Sequence, residues 1–582
     1  MIQEGYMLQT SSFAGTQREI RKKISDLIGE TNTETFYQRY RDNGITKRDI
    51  DSLKAWGFNS IRLPMHYNLY TLPIEQETVA GQQTWLDEGF TRTDQLLQWC
   101  ADNQMYLILD MHATPGGQGK DANISDYDPS KPSLWESDAN KAKLVALWRK
   151  LAERYKDSQW IGAYDLINEP NWNFTGTNQN GCDEGNNGPL RSIMVQITQA
   201  IREVDTNHMI IIEGNCWGNN YNGIFPLWDN NMTLSFHKYW NSNTQGAIQG
   251  LLNLRSQYNV PLWLGESGEN GNTWFRDAIK LVEDLGIGWS WWPMKKVESI
   301  SGLASVKMPA GYQQLLNYWG GTGSVPSATA AYNTLLQLAD NYKMENVVVN
   351  YSVIDAMIRQ VQTDDTKKYK THNLPGKVYA TEYDFGRNEF AYKDNDVATY
   401  HSDGGSYTAW NQGWQMRNDG VDIESCTDTS TNGYDVSHIM PGEWMQYTLT
   451  VAADTAYDID IRYAGGGKLH FEDANGRISE SITLDATGGF TTWGTKTVQG
   501  IILKAGINKF RIYADTAGYN LNFVEFKNPT SAANTAFKTV DAGTNVLGDK
   551  IFVTLNKNLA TGINYTTSNF SLKVNNNTVA VT

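Results

Sequence analysis

Asp165-Leu166-Ile167-Asn168-Glu169-Pro170 is a short apolar run that ends in an amide, a carboxylate and a proline. Trp263-Leu264-Gly265-Glu266-Ser267-Gly268 repeats this pattern, because its run also ends in a carboxylate directly before a turn. Apolar runs of this length are typical of buried parallel strands. In a barrel of parallel strands the carboxyl ends share one mouth, so the two stretches predict that Glu169 and Glu266 face a common site.

The segments around these two stretches predict a barrel. Short β-branched or aromatic runs alternate with amphipathic helical stretches from residue 46 to about 342, which indicates repeated βα units. The predicted strands are 60–64, 106–112, 161–168, 209–213, 233–239, 261–266 and 286–292. The fold class is therefore α/β, a (β/α)8 TIM barrel over residues 1–345. Its first strand is missing from the pattern, since nothing before residue 46 is typical of a barrel strand.

The pattern changes after residue 345. A polar, lysine-rich stretch that ends at Pro375-Gly376 predicts a linker over 346–376. Alternating runs separated by Gly, Asn and Asp then predict a β-sandwich of jelly-roll type over 377–528. Residues 529–582 contain two strand-like runs but are too few for a sandwich of about 100 residues. We interpret them as a partial immunoglobulin-like (Ig-like) β module.

Charge and composition narrow the class of partner. The formal charge is -15 and the pI is about 5.1, so nucleic acid and anionic membranes would be repelled. The sequence has no apolar run of about 18 residues and no signal-peptide pattern. Many of the 20 Trp and 30 Tyr stand beside Asn, Gly and Asp, where aromatic faces can stack on sugars while polar groups bind hydroxyls. A neutral polysaccharide is the favoured partner.

The cysteines leave the redox compartment open. They are spread along the chain without the close pairs of a zinc site or a dense disulfide framework: Cys100, Cys182, Cys216 and Cys426. Neither a disulfide pairing nor a set of metal ligands is therefore predicted.

Hydrolysis of a glycosidic bond requires two facing carboxyl groups, one to protonate the leaving oxygen and one at the anomeric carbon. Glu169 and Glu266 fit this requirement, although a strand-end carboxylate can instead cap the next helix. Further polar or aromatic residues lie at matching strand ends: Arg62, His112, His237, Tyr239 and Trp292. For Trp292, packing inside the barrel is the alternative. Together these residues predict a site rather than isolated caps.

Five motifs, in this order, resemble glycoside hydrolase family 5 over about residues 5 to 338. They are Ile-Arg-Leu-Pro (61–64), Leu-Asp-Met-His (109–112), Ile-Asn-Glu-Pro (167–170), Ser-Phe-His-Lys-Tyr (235–239) and Leu-Gly-Glu-Ser (264–267). The resemblance implies that Glu169 is the general acid/base and Glu266 the nucleophile, with no catalytic cofactor. It also implies that Asn168 holds the sugar 2-hydroxyl and that Arg62 supports the nucleophile. His112, His237, Tyr239 and Trp292 would then line the substrate cleft.

Three functions agree with this resemblance. The first is a retaining β-glucanase that cleaves β-1,4-glucan in the manner of an endoglucanase. The second is an exo-acting β-1,3-glucanase, because the stretch after His112 resembles a long loop of such enzymes. The third is an inactive barrel that only binds carbohydrate.

The sandwich resembles a family 6 carbohydrate-binding module through Gly442-Glu443-Trp444-Met445-Gln446-Tyr447 and the stretch 519–526. In that family a cleft holds a glycan between two aromatic rings, with an amide reaching its hydroxyls. Trp493 and Asn520 match one ring and the amide, while His438 stands in place of the second ring. Such modules often hold a structural calcium ion. Glu382 does not match the usual acidic pattern, so the ligands of such an ion are not identified from the sequence.

The expected partner is therefore a β-glucan polysaccharide, bound by a monomer. Polymeric glucan is met outside the cytoplasm, so the substrate alone implies an extracellular, periplasmic or cell-surface location.

Overall fold

The structure is a computed structural model that describes residues 4–395 and 411–529, together with four short strands between 539 and 579. The chain divides into two compact units. The first comprises Met1–Lys367 and Phe385–Ser425, and the second comprises Lys368–Asp384 and Cys426–Thr582.

The first unit is built around a parallel sheet of seven strands that follow one another in chain order. The strands are β1 (Ser60–His66), β2 (Tyr106–Ala113), β3 (Ile161–Asp165), β4 (Met209–Glu213), β5 (Met232–Lys238), β6 (Leu262–Ser267) and β7 (Gly288–Trp289). Asp110 of β2 pairs in register with Asp165 of β3, so the polar ends of neighbouring strands lie at one level. The predicted TIM-barrel class is confirmed, and all seven predicted strands are present.

Helices lie before, between and after the strands. They are α1 (Gln17–Ile28), α2 (Glu30–Gly44), α3 (Lys47–Trp56), α4 (Asp87–Asp102), α5 (Ala122–Ser125), α6 (Asp138–Tyr155), α7 (Gly188–Arg202), α8 (Asn215–Gly218), α9 (Gln249–Tyr258), α10 (Asn272–Asp284), α11 (Tyr312–Trp319), α12 (Ala328–Asn341) and α13 (Tyr351–Ile358). Local sequence sets several helix starts. Thr16 and Glu19 form a capping box at α1, and the Ser137 hydroxyl caps α6. The apolar face of α6 then packs in the barrel core, as Trp148 does. The apolar face of α1 instead packs in a separate cluster with α2, α11 and α12.

β1 and β7 are the edges of the sheet within the described part of the chain. A cavity of about 510 Å³ lies beside them, lined by residues of both strands such as Ile61 and Trp289. Among the described residues no strand precedes β1, so the eighth strand of the predicted barrel is not observed there.

Part of the predicted linker 346–376 belongs to the barrel unit. A small sheet contains β8 (Lys295–Val297), β9 (Ala304–Val306) and β10 (Val348–Val349). Val353 and Met357 of α13 are buried in the barrel core. The prediction of a linker is wrong for this stretch, because the polar composition of 363–373 concealed the short apolar helix before it.

The second unit contains the predicted sandwich. The remaining strands up to residue 527 are β11 (His372–Leu374), β12 (Gly376–Tyr379), β13 (Tyr392–Lys393), β14 (Ile423–Ser425), β15 (Tyr434–Val436), β16 (Trp444–Val451), β17 (Thr455–Gly465), β18 (Gly467–Asp473), β19 (Gly476–Arg477), β20 (Ile482–Leu484), β21 (Trp493–Leu503), β22 (Gly506–Ala514) and β23 (Tyr519–Lys527). Of these, β13 and β14 lie in the first unit. One sheet runs β11-β16-β22-β18-β19 with β20 on β18, and the other runs β15-β23-β17-β21 with β12 on β23.

Two antiparallel pairs follow the sandwich: β24 (Thr539–Thr544) with β25 (Ile551–Leu555), and β26 (Leu572–Val574) with β27 (Asn577–Val579). Most of the predicted Ig-like module lies outside the described residues, so that assignment stays a prediction. In the part of the chain that the structure describes, no helix is long and apolar enough to cross a membrane.

Candidate active site

The two predicted carboxylates face each other at the mouth of the barrel. Glu169 follows β3 and Glu266 lies in β6, and both side chains are almost fully buried. One carboxylate oxygen of each and a ring nitrogen of His237 lie within 4.8 Å of one another. A separation of about 5 Å between two carboxyl groups is the geometry of a retaining glycosidase, since it leaves no room for a water molecule between nucleophile and sugar.

The backbone of Glu169 adopts an uncommon conformation. Its φ is +41°, in the left-handed region that non-glycine residues rarely occupy. Its N–H donates a 2.7 Å hydrogen bond to Oε2 of Glu213, the last residue of β4. Nδ1 of His237 lies 2.6 Å from Oε1 of Glu169. The acid/base candidate is thus held at its backbone by one neighbour and at its carboxylate by another.

Two side chains hold Glu266 in place: Arg62, as predicted, and Tyr239, which was expected only to line the cleft. Arg62 Nη1 donates to Oε2 at 2.9 Å, and the Tyr239 hydroxyl donates to Oε1 at 2.8 Å. Burial and the nearby Glu169 carboxylate raise the pKa of Glu266, while His237 and Arg62 lower it. The pKa of Glu266 is raised overall, so the contact with Arg62 offsets only part of the cost of burying this carboxylate.

The buried Arg62 side chain forms ion pairs with four carboxylates. Its guanidinium donates hydrogen bonds to Glu266, Asn168, Asp165 and Glu213. It also forms an ion pair with Asp110 at 3.2 Å. Burial and the neighbouring Glu213 carboxylate raise the pKa of Asp165 well above its usual value. Arg62 lowers the same pKa by donating two hydrogen bonds to Asp165, at 2.8 and 3.0 Å, and so offsets part of that rise.

Neighbouring carboxylates raise the pKa of both site histidines. Burial alone would lower the pKa of His112, but Asp110 and Glu4 outweigh it and raise that pKa to about 10. Burial is likewise outweighed at His237, where Glu213, Glu266 and Glu169 raise the pKa well above the usual value. Among the described residues, the only cluster of possible metal ligands is Glu169, His237 and Glu266. His237 of this cluster is already paired with Glu169 at 2.6 Å and with Glu213 at 3.2 Å.

Trp292 and Asn168 also lie at this mouth. The Trp292 ring stacks on His112 with centroids 5.1 Å apart, and its indole N–H donates to the Tyr6 hydroxyl. Asn168 is fully buried, and its amide nitrogen lies 3.4 Å from Nε2 of His112. The structure therefore brings all eight predicted barrel-site residues together. Trp291 instead packs against Trp274 in the core.

Four buried acids were missed by the sequence analysis: Glu4, Asp110, Asp165 and Glu213. Glu213 could have been found, because Met209-Ile210-Ile211-Ile212-Glu213 is an apolar run that ends in a carboxylate. Asp110 lies inside a quoted motif, two residues before His112. Glu4 had no such signal, since its contact with His112 at 3.1 Å joins residues far apart in the chain.

A disulfide joins the loops after β3 and β4. Cys182 and Cys216 are bonded, with their Cα atoms 4.8 Å apart. The side chain of Asn215 binds both the N–H and the carbonyl of Trp172, so these two loops are also linked by hydrogen bonds. Sequence spacing could not reveal this pair, because 34 residues separate the cysteines.

In the second unit, two of the predicted sugar-binding residues lie on either side of Ala464 of β17 in one sheet. Trp493 of β21 and Asn520 of β23 are its backbone pairing partners. Trp493 is partly exposed, and its indole N–H donates to Thr427. Asn520 is 3% exposed and donates to Asp435 at 3.0 Å, so its amide lies inside the sandwich. His438 is exposed just after β15.

The suggested calcium ion stays a prediction, and two acidic residues of this unit are already paired with lysines. Glu382 is paired with the ammonium group of Lys370, and Asp384 is paired with Lys509 at 2.7 Å. A cation there would have to displace these lysines.

Comparison with known proteins gives two matched segments. Residues 21–297 match the family described as cellulase (glycosyl hydrolase family 5), and residues 414–528 match carbohydrate binding module (family 6). A β-xylosidase of Phanerodontia chrysosporium is 26% identical over 215 residues, which cover 36% of this chain and 40% of that protein. Endoglucanase C of Acetivibrio thermocellus is 24% identical over 331 residues, which cover 46% of this chain and 88% of that protein. The solved structure of endoglucanase Cel5A from Thermotoga maritima is 18% identical and has a TM-score of 0.34. The match covers 43% of this chain and 82% of that chain.

Proposed function

Because residues 21–297 are a glycosyl hydrolase family 5 domain and residues 414–528 a family 6 carbohydrate-binding module, we propose that this glycoside hydrolase cleaves internal β-1,4 links of glucan with retention of configuration. The observation that carries the proposal is the pairing of Glu169 and Glu266, whose carboxylate oxygens approach within 4.8 Å. The endoglucanase relative, most of whose length the chain covers, supports the β-1,4 assignment.

In the first step, the Glu266 carboxylate attacks the anomeric carbon and forms a glycosyl ester. Glu169 gives its proton to the glycosidic oxygen, so the leaving chain departs as an alcohol. Tyr239 and Arg62 hold Glu266 in place for this attack. In the second step, Glu169 removes a proton from water, the water oxygen attacks the same carbon, and Glu266 leaves as a carboxylate.

The remaining residues position the sugar. The Trp292 indole supplies an apolar face, while the buried Asn168 amide and the His112 ring lie beside it. An imidazole and an amide both suit the hydroxyls of a neutral sugar. The intact set of acid, nucleophile and supporting groups argues against an inactive barrel.

The sandwich would tether the enzyme to insoluble glucan, with Trp493 as the ring that contacts the polymer. We further propose that the protein acts as a monomer outside the cytoplasm. The Cys182–Cys216 disulfide supports an oxidising compartment, and the charge of -15 disfavours nucleic acid as a partner.

The proposal is tested by measuring the reducing sugar released from soluble β-1,4-, mixed-linkage and β-1,3-glucans. We expect release from the β-1,4 and mixed-linkage polymers as oligosaccharides of several lengths, and none from the Glu266→Gln variant. Release of glucose alone from β-1,3-glucan would instead support exo-acting β-1,3 hydrolysis. No release from any polymer would support the inactive barrel.

A further inference from the structure

A second cavity, of about 300 Å³, lies within the barrel unit and is separate from the catalytic carboxylates. Its lining combines two indole rings with polar and charged side chains: Trp240, Trp414, Gln9, Glu269, Lys296 and Glu298. Trp240 is 47% and Trp414 36% exposed. Solvent-accessible indole faces beside hydrogen-bonding groups are the chemistry that binds a neutral sugar ring, and the volume is at the lower end of ligand pockets.

This cavity adjoins the proposed substrate cleft on two sides. Trp240 directly follows Tyr239, whose hydroxyl binds the nucleophile, and the two rings are 5.8 Å apart. On the other side, the Lys296 ammonium lies 4.6 Å from the ring of Tyr6, which contacts Trp292. A glycan chain held at Trp292 can therefore extend toward this cavity.

Trp414 reaches the cavity from a segment remote in sequence. The family match assigns residue 414 to the carbohydrate-binding module, whereas the structure places Phe385–Ser425 in the barrel unit. Asn418 anchors this segment: its amide donates to the Asn270 carbonyl and to Asn272, and its carbonyl accepts the Asn272 N–H. Since Asn270 follows Glu266 by four residues, the anchor lies close to the catalytic strand end.

Backbone strain is concentrated at the same cavity. Fourteen non-glycine residues in the described part of the chain have a positive φ. Five of them line this one cavity: Gln9, Trp240, Glu269, Glu298 and Trp414. Such conformations cost about 1–3 kcal/mol each and cluster where a fold holds ligand-binding groups in place.

We propose that this cavity is a distal glycan subsite of the catalytic unit, in which Trp240 and Trp414 bind one glucosyl unit of the chain being cleaved. Gln9, Lys296 and the two glutamates bind its hydroxyls. The inference rests on the proposed β-glucan hydrolysis and deepens it, because it assigns Trp414 to substrate recognition by the barrel.

The test compares kcat/KM for soluble cello-oligosaccharides of three to six units in full-length wild type, Trp414→Ala and Trp240→Ala. In the wild type, kcat/KM should rise with length until the cavity is filled. In each variant kcat/KM should fall about fivefold for the longest substrate and stay unchanged for the shortest. Trp414→Phe should restore part of the lost kcat/KM. Tyr106→Ala is the matched control. Tyr106 is also an exposed aromatic residue, at 51%, and it begins β2 at the end away from His112 and the site. Equal losses at all lengths, or no loss, would overturn the subsite.

A second measurement separates this inference from the proposed function. If the wild type hydrolyses no oligosaccharide, the proposed function fails, and calorimetric binding to the Glu266→Gln chain decides the subsite. Trp414→Ala in that background should weaken binding of six-unit β-1,4- or β-1,3-glucan about fivefold and leave three-unit binding unchanged. Unchanged binding at six units would reject the subsite.

Discussion

The backbone N–H of Glu169 donates to the Glu213 carboxylate at 2.7 Å, so a buried acid holds the catalytic acid candidate in its left-handed conformation. The other oxygen of Glu213 accepts a hydrogen bond from Arg62 and lies 3.2 Å from Nε2 of His237. The Glu213 carboxylate thus contacts groups that hold both catalytic candidates, Glu169 and Glu266. Glu213 touches neither reacting carboxylate, so its proposed part is positioning.

The first prediction concerns this residue. Glu213→Gln keeps an oxygen acceptor but removes the charge beside Arg62 and His237. We expect kcat to fall about 10- to 100-fold, equivalent to about 1–3 kcal/mol, with little change in KM. Glu203→Gln, at a side chain that is 64% exposed, is the control. If Glu213→Gln retains full kcat, the positioning role is wrong.

Second, the stereochemistry of the product follows from the spacing of the two carboxylates. Proton NMR of freshly hydrolysed soluble β-glucan should show the β anomer first and the α anomer only after mutarotation. A first-formed α anomer would show single displacement by water and would exclude Glu266 as nucleophile.

Third, azide distinguishes the roles of the two glutamates. With an aryl glycoside whose phenol leaves without protonation, Glu169→Ala should form the glycosyl ester but hydrolyse it slowly. Azide needs no base, so it should restore turnover and give a β-glycosyl azide. Glu266→Ala lacks the nucleophile and should give only the α-azide. The opposite pair of anomers would show that the roles are reversed.

Fourth, Trp493→Ala should weaken binding to insoluble glucan about tenfold while leaving hydrolysis of soluble glucan unchanged, because tethering raises only the local enzyme concentration. Sedimentation with insoluble polymer and a soluble-substrate assay measure the two effects. Ile507→Ala is the control, since Ile507 is 68% exposed in the same unit. Unchanged sedimentation would exclude Trp493 as the binding ring.

Fifth, Lys238 should make stability depend on pH. Burial lowers its pKa to about 7, whereas the unfolded chain holds the proton up to a pH of about 10.4. The unfolded state therefore binds more protons between these values, and the contribution of this group to stability rises with pH across that window. Relative to Lys238→Met, the wild-type free energy of unfolding should increase by about 2–4 kcal/mol from pH 6 to 10.

Urea unfolding at several pH values measures that difference. The exposed Lys280→Met variant should show no such trend, because its side chain is 43% exposed. A constant difference between wild type and Lys238→Met would show that Lys238 titrates normally.

Much of the fold could be predicted from local pattern. The alternation of apolar runs and amphipathic helices predicted the parallel barrel, and the runs that end in Glu169 and Glu266 predicted the candidate catalytic pair. These signals are local, because a buried strand and its polar end are neighbours in the chain. The same local signal was present at Glu213, and its importance emerged only from contacts with Arg62 and His237.

Tertiary structure alone decided which distant residues meet. The pairing of Glu4 with His112, the Cys182–Cys216 disulfide and the burial of Asn520 against Asp435 all join segments separated by dozens of residues. Composition placed a boundary near residue 376, yet Phe385–Ser425 belongs to the barrel unit and carries Trp414 to its second cavity. The sequence by itself determined strands, their order and the chemistry at their ends. Packing determined the distances between those ends, because side-chain contacts across the mouth of the sheet depend on its curvature and not on spacing along the chain.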